Sequence, residues 1–377
     1  PAVGRFVFSG AASYTRLNLW STSGQPGDLE LLADLWSDQD NEPRFSAMAG
    51  RRLVVGTQQG VWATDGTRAG TTRLVRVSLP DQFVEAGDKV FFTGQDARGR
   101  ELWVTDGTPG GTRMVRDITV EFDTDGPLYL SAWNGSVYFL DRDHTGDVQD
   151  WLWTSDGTTA GTHKVVRISV HPTTPRGLVP YRGRLYFGAS SASGASHLYS
   201  TDGTAEGTRI SWPDLNVSQM YTVGDRLLIF GNLSTTGWYM ILSDGTEEGS
   251  QFITRYPTDG APWSLWRQGD RAIFALTTLD DGPGMWVSDG TIAGTHRFIP
   301  PDVPGSQFRG AALMPGWVFL RYERLGTNDQ DAYRYSEESG TLQPITGYEQ
   351  QSEMPTIFGP LAGSGNTLYM VSPDTEV

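Results

Sequence analysis

Leu102-Trp103-Val104-Thr105-Asp106-Gly107-Thr108, running on into Gly111-Thr112, is the stretch on which the reading turns. The same phrase stands at Val61-Trp62-Ala63-Thr64-Asp65-Gly66-Thr67 and Leu152-Trp153-Thr154-Ser155-Asp156-Gly157-Thr158. It returns at Leu198-Tyr199-Ser200-Thr201-Asp202-Gly203-Thr204, Met240-Ile241-Leu242-Ser243-Asp244-Gly245-Thr246 and Met285-Trp286-Val287-Ser288-Asp289-Gly290-Thr291. Worn copies occur at Leu19-Trp20-Ser21-Thr22-Ser23-Gly24 and near Ser339-Gly340-Thr341. Counted from positions 23, 65, 106, 156, 202, 244, 289 and 339, the steps run from 41 to 50 residues. A period of that size marks a repeat architecture.

Five of the six intact phrases are followed by a second Gly-Thr, and the sixth by Gly249-Ser250, each leading into a short apolar strand, as in Gly161-Thr162-His163-Lys164-Val165-Val166. Each is preceded by a strand opened by Gly, such as Gly87-Asp88-Lys89-Val90-Phe91-Phe92 or Gly224-Asp225-Arg226-Leu227-Leu228-Ile229-Phe230. A further apolar stretch, such as Gln82-Phe83-Val84-Glu85-Ala86, lies before that Gly. Four short strands per repeat, bounded by turn residues and without helical periodicity, describe an antiparallel propeller blade. The expected fold is all-β: a single β-propeller domain over residues 1–377, with eight blades, while seven or nine stay open. Ring closure falls to the ends. Gly4-Arg5-Phe6-Val7-Phe8 reads as a second strand without a first, and Thr356-Ile357-Phe358-Gly359-Pro360-Leu361 as a first without its successors. Asn366-Thr367-Leu368-Tyr369-Met370-Val371 does not fit, because it looks like a ninth second strand.

The recurring Asp residues, Asp65, Asp106, Asp156, Asp202, Asp244 and Asp289, are read as turn-formers. Gly supplies a positive φ, and the carboxylate accepts backbone N–H bonds. A catalytic Asp would be needed once or twice, not in every copy. The Trp three residues earlier reads as a buried wedge between neighbouring blades.

These residues resemble the ELWxxDGT repeat family of bacterial surface and secreted proteins. The best match runs from Phe91 through Gly99-Arg100-Glu101-Leu102-Trp103-Val104-Thr105-Asp106-Gly107-Thr108 to Val115-Arg116-Asp117-Ile118. Other copies depart at the Glu and Trp positions, where Tyr199 and Ile241 replace Trp. The resemblance implies a propeller-like, exported protein and no defined activity.

Composition narrows the partners. With 44 acidic residues against 29 Lys and Arg, the formal charge is −15, and no basic run occurs. Nucleic acid and anionic membranes would be repelled. The absence of Cys excludes disulfides and thiolate chemistry. No apolar run approaches the roughly 20 residues needed to span a bilayer. A chain that starts at Pro1 without a signal reads as mature or trimmed, with an extracellular, periplasmic or outer-membrane location expected.

A blade places its third-to-fourth turn at one end and its second-to-third and interblade loops at the other. Here the first class is nearly invariant and the second varies, so recognition is expected at the variable end. Trp36, Trp151, Trp212, Trp238, Trp263, Trp266 and His144 are the candidate binding residues there, with covering of blade seams as the competing reading of each Trp. Asp141, Asp143, Thr145 and Asp147 resemble the first half of a calcium loop. Thr at the fifth position and the missing Glu at the twelfth speak for a plain acidic turn instead. No metalloprotease, nucleophile-elbow, P-loop or dinucleotide motif is present. The expectation is a non-catalytic, exported, monomeric module binding a protein or glycan, with no required cofactor. A polysaccharide lyase or hydrolase using His144 and His171, and a Ca²⁺-stiffened surface module, are the alternatives.

Overall fold

The computed structural model describes residues 6–13, 16–23, 27–35, 45–58, 60–118, 126–143, 149–168, 176–190, 195–233, 237–257, 262, 264–280, 282–298, 306–314, 317–324, 330–336, 339, 341–344, 362–364 and 367–369. The chain divides into two compact units, Pro1–Pro213 and Asp214–Val377. Every regular element in the described residues is a β-strand.

The first unit holds five antiparallel sheets in chain order. The first, within 6–34, has three strands; the second to fifth, within 45–75, 78–116, 128–168 and 176–212, have four each. The second unit holds three more four-stranded sheets, within 215–256, 264–298 and 306–344, and the hairpin Ala362–Ser364 with Thr367–Tyr369. Strands follow one another across each sheet without crossovers, which is the topology of a propeller blade. The all-β expectation and the four strands per repeat therefore hold. Phe6–Ser13 pairs with Arg16–Thr22, the strand of the worn phrase, and so takes the second-strand place expected of it. The misfit stretch near Asn366 supplies Thr367–Tyr369, which pairs with Ala362–Ser364. The first strand expected at 356–361 lies outside the described residues.

Middle strands are buried on both faces, and this explains their unbroken apolar runs. In Lys89–Asp96, Val90, Phe91, Phe92 and Thr93 are all 0–1% exposed. Side chains alternate between the faces of a strand, so Phe92 joins the core of the second sheet while Phe91 joins that of the fourth. The phrase Trp leans toward the preceding sheet. Trp103 packs with Ala47, Val54 and Val61, Trp153 with Phe91, Leu102 and Val104, and Trp286 with Phe230 and Met240. The expected wedge is thus present.

Register adds a feature invisible in the phrase. The third and fourth strands slip by one residue at the same step in six sheets: Leu19/Trp20, Val61/Trp62, Leu102/Trp103, Leu152/Trp153, Leu198/Tyr199 and Met240/Ile241. Such a bulge bends the strand and re-aims the next side chain. Here that side chain is the aromatic or apolar wedge.

Candidate functional site

The Asp-Gly-Thr phrase is a longer device than a two-residue turn. Seven residues, 106–112, connect Gly99–Thr105 to Arg113–Arg116 in the third sheet. Asp106 Oδ1 accepts from the Thr108 amide at 2.9 Å and its hydroxyl at 2.6 Å. Thr108 Oγ1 accepts from the Gly111 amide at 3.1 Å, and Thr112 Oγ1 donates to the Thr108 carbonyl at 2.7 Å. Thr105 Oγ1 accepts from the Gly107 amide at 3.0 Å and lies 2.7 Å from the Thr112 hydroxyl.

All six intact copies repeat the Asp-to-Thr bonds, at Asp65, Asp106, Asp156, Asp202, Asp244 and Asp289. The second Gly is equally determined. A Cβ on Gly70, Gly111, Gly161, Gly207, Gly249 or Gly294 would come within 2.0–2.2 Å of the Asp carboxylate. The first sheet reverses the pair. Ser23 stands where the others have Asp, and Asp28 stands where they have the second Gly; Asp28 accepts from the Thr22 hydroxyl and from the Ser23 amide and hydroxyl.

The donors favour the ionised form of five of these carboxylates. The Thr hydroxyl, then its amide, keeps Asp65 and Asp202 below the ordinary value of 3.8. For Asp106 the hydroxyl of Thr108 does most, and for Asp156 the amide of Thr158. At Asp289 partial burial works in the opposite direction, but the Thr291 amide and hydroxyl outweigh it.

Three of the turns also fasten their sheet to the one before by hydrogen bonds. The Gly66 carbonyl accepts from Ser21 Oγ at 2.8 Å, and that of Gly107 from Arg52 Nη1 at 3.3 Å. Gly157 O accepts from Arg113 Nη2 at 2.6 Å, Asp156 O from Lys89 Nζ at 3.1 Å, and Thr162 O from Arg116 Nη1 at 2.7 Å. In the second unit Gly290 lies so close to the sixth sheet that a Cβ would meet the Val223 carbonyl at 2.1 Å. These ends are chemically committed to structure.

The other ends of the sheets differ from one to the next. In the third sheet Arg100 donates to Thr93 Oγ1 at 2.9 Å, Asp81 Oδ2 at 3.3 Å and the Leu79 carbonyl at 3.4 Å. Leu79 (φ 47) and Gln82 (φ 55) flank Asp81 in left-handed backbone that side chains rarely adopt. Gln82 then clamps the next sheet, donating to Pro127 O at 3.1 Å and accepting from the Leu130 amide at 3.2 Å. Gln219 repeats the first contact on Pro262 O at 3.1 Å. The sequence carried a signal for this that the main phrase masked. Pro80, Pro127 and Pro262 each precede the last residue of a first strand by 6 positions, as Pro43 and Pro175 also do in sequence.

Of the sequence-predicted binding residues, Trp151, Trp212, Trp238 and Trp266 stand on four different sheets. Trp36, Trp263 and His144 lie outside the described residues, and Trp266 is placed only as a strand residue opposite Ile273. Trp212 is 2% exposed and presents no ring to a ligand. Trp151 is half-buried under Lys164 Nζ, 4.7 Å from its ring, and Trp238 is tilted on Tyr256 at 5.8 Å. Of the calcium candidates, Thr145 and Asp147 lie outside the described residues. Asp141 and Asp143 sit within the strand Ser136–Asp143 rather than in a loop, and Asp141 is buried opposite Trp151. Among the described residues no group of three or more His, Cys, Asp or Glu could hold a metal ion. No helix of the described residues is long and apolar enough to cross a membrane.

Sheet topology and seam packing define an all-β protein of the β-propeller class. The solved structures similar to it are β-propeller proteins. A puromycin hydrolase aligns over 90% of this chain and 51% of its own, at 13% identity and TM-score 0.47. Prolyl endopeptidase structures align over 85% and 53%, at 11% and 0.49. The propeller domain of the Trilobed protease from Pyrococcus furiosus aligns over 92% and 99%, at 10% and 0.44. The chain spans about half the length of the puromycin hydrolase and prolyl endopeptidase it matches. No protein-family model matches the chain, and no curated protein does.

These neighbours correct the functional expectation. A non-catalytic exported module for protein or glycan binding, with its polysaccharide-enzyme and calcium-stiffened alternatives, does not agree with neighbours that are propeller parts of peptidases. At identities of 10–13% the likeness shows the fold alone.

Proposed function

We propose that the eight phrases build one β-propeller of the ELWxxDGT kind whose Asp-Gly-Thr ends are fastenings and whose ligand or substrate is met at the opposite ends of the sheets. One observation carries this reading: the strained Leu79–Gln82 segment held by Arg100. Left-handed backbone at non-glycine residues costs of order 1–3 kcal/mol each and gathers at functional sites. The Asp81 side chain beside it is 41% exposed, whereas its Arg100 partner is 14% exposed, so the pair offers a carboxylate outward from a fixed base. The chemistry this suits is a ligand with a cationic or hydrogen-bond-donating group.

A panel of chromogenic ester and peptide substrates, with thermal-shift screening of small amines and peptides, tests the reading. Activity or binding abolished by Asp81→Asn but kept in Asp156→Asn supports it. Loss in Asp156→Asn with retention in Asp81→Asn overturns it.

A further inference from the structure

We propose that Asn134-Gly135 is a site of spontaneous deamidation in the folded protein, whereas the six repeat Asp-Gly pairs, chemically similar, are silenced by their turns. An amide or carboxyl followed by Gly is the sequence most open to cyclisation, because Gly places no side chain beside the attacking nitrogen. The backbone nitrogen of Gly135 attacks Asn134 Cγ, the Cγ–Nδ2 bond breaks, and ammonia leaves with the Gly135 amide proton. Water then opens the cyclic imide at either carbonyl, giving Asp or isoaspartate. No oxidant or enzyme is needed.

Asn134-Gly135 is the chain's one Asn-Gly pair. It forms the two-residue connection between Trp133 and Ser136, both residues left-handed (φ 50 and 75), as a type I′ turn requires. Both are exposed, and no hydrogen bond engages the Asn134 side chain. Cyclisation is therefore opposed only by the turn itself.

The repeat pairs differ at both reacting atoms. The nucleophile is occupied: the amides of Gly66, Gly107, Gly157, Gly203, Gly245 and Gly290 donate to the preceding Thr or Ser hydroxyl at 2.9–3.2 Å. The electrophile is held by the following Thr through two bonds, as at Asp156, where they measure 2.7 and 2.8 Å. Loss of hydroxide from Asp requires the protonated acid, and these bonds favour the anion.

The site lies where change would be felt. The Trp133 ring lies tilted against Tyr138 with centroids 5.4 Å apart, and the Gly203 turn of the next sheet rests on both rings. An isoaspartate adds a methylene to the backbone between Trp133 and Ser136 and so breaks their pairing.

Peptide mapping by mass spectrometry of the whole folded chain, aged at mildly alkaline pH below its unfolding temperature, tests this. The expected result is progressive amide-to-acid conversion at Asn134, with isoaspartate in that peptide and none at the six repeat Asp residues. Asn134→Gly, which the turn accommodates, should abolish the change. In a second arm aged at mildly acidic pH, where Asp is partly protonated, Ser155→Ala should raise isoaspartate at Asp156 alone, with the other five as internal reference. The proposal is overturned if Asn134 converts only after unfolding, if the repeat Asp residues convert at its pace, or if Ser155→Ala leaves Asp156 unmodified.

Discussion

Exchanging the two ends of one turn lock is the most direct test of how the repeat holds itself. The first sheet places Ser23 and Asp28 where the third has Asp106 and Gly111. Gly111→Asp alone sets a second carboxylate against the first, since even a Cβ there would lie 2.1 Å from Asp106 Oδ1. Asp106 must then leave its two bonds to Thr108, at 2.9 and 2.6 Å. Two such bonds are worth about 1–3 kcal/mol net. Like-charge repulsion at about 4 Å in water adds about 1 kcal/mol, so the single change costs about 2–4 kcal/mol. Asp106→Ser combined with Gly111→Asp recreates the arrangement of the first sheet in a loop of the same length. It should recover about 2 kcal/mol, roughly a thirtyfold change in the folding equilibrium. Urea denaturation followed by tryptophan fluorescence, with comparable m-values across the variants, reads the difference. A double variant no more stable than Gly111→Asp would show the two positions to be independent and would refute the reasoning.

Other outcomes follow from single groups. Tyr256 is 1% exposed and its hydroxyl lacks a partner; Tyr256→Phe should be neutral or stabilise by up to about 1 kcal/mol in calorimetry, and a loss above about 1 kcal/mol would reveal a bound water or donor there. Arg113→Ala removes the 2.6 Å bond to Gly157 O and should lower stability by about 1–2 kcal/mol, with hydrogen exchange quickening at the third-to-fourth sheet seam. Five of the repeat carboxylates, Asp65, Asp106, Asp156, Asp202 and Asp289, with folded values below the ordinary 3.8, add stability that is fully present above that value and lost as pH falls through the lower folded values. Acid titration of Thr108→Val, which lacks the hydroxyl bond to Asp106, should therefore show a shallower loss of stability below pH about 4 than the parent; an unchanged slope would contradict it.

Much of the architecture was legible because the phrase is redundant. Asp-Gly-Thr with its second Gly-Thr encodes six bonds in one local frame, so each copy confirms the others. The doubly buried strands were legible for a related reason: Val90-Phe91-Phe92 is continuous rather than alternating because neighbours cover both faces. The opposite ends were not legible. Arg100, Thr93 and Asp81 lie on three strands, and no spacing in the chain announces that they meet. The Gln82 and Gln219 clamps were missed because their partners are backbone carbonyls, announced only by the spacing of the prolines that the louder Asp-Gly-Thr phrase masked. Trp212 failed as a surface candidate because its pairing with Leu198 tucks it inward, although it stands outside the repeated phrase.

The fastening of the Gly66, Gly107 and Gly157 turns onto the sheet before each bears on how such a chain can lengthen. A duplicated unit arrives with the Gly carbonyl that its predecessor's Arg or Ser can grasp, and with the Arg or Lys that its successor needs. Insertion therefore multiplies an interface already solved instead of demanding a new one. Copy number can then drift in descendants of such a gene while the joinery stays constant.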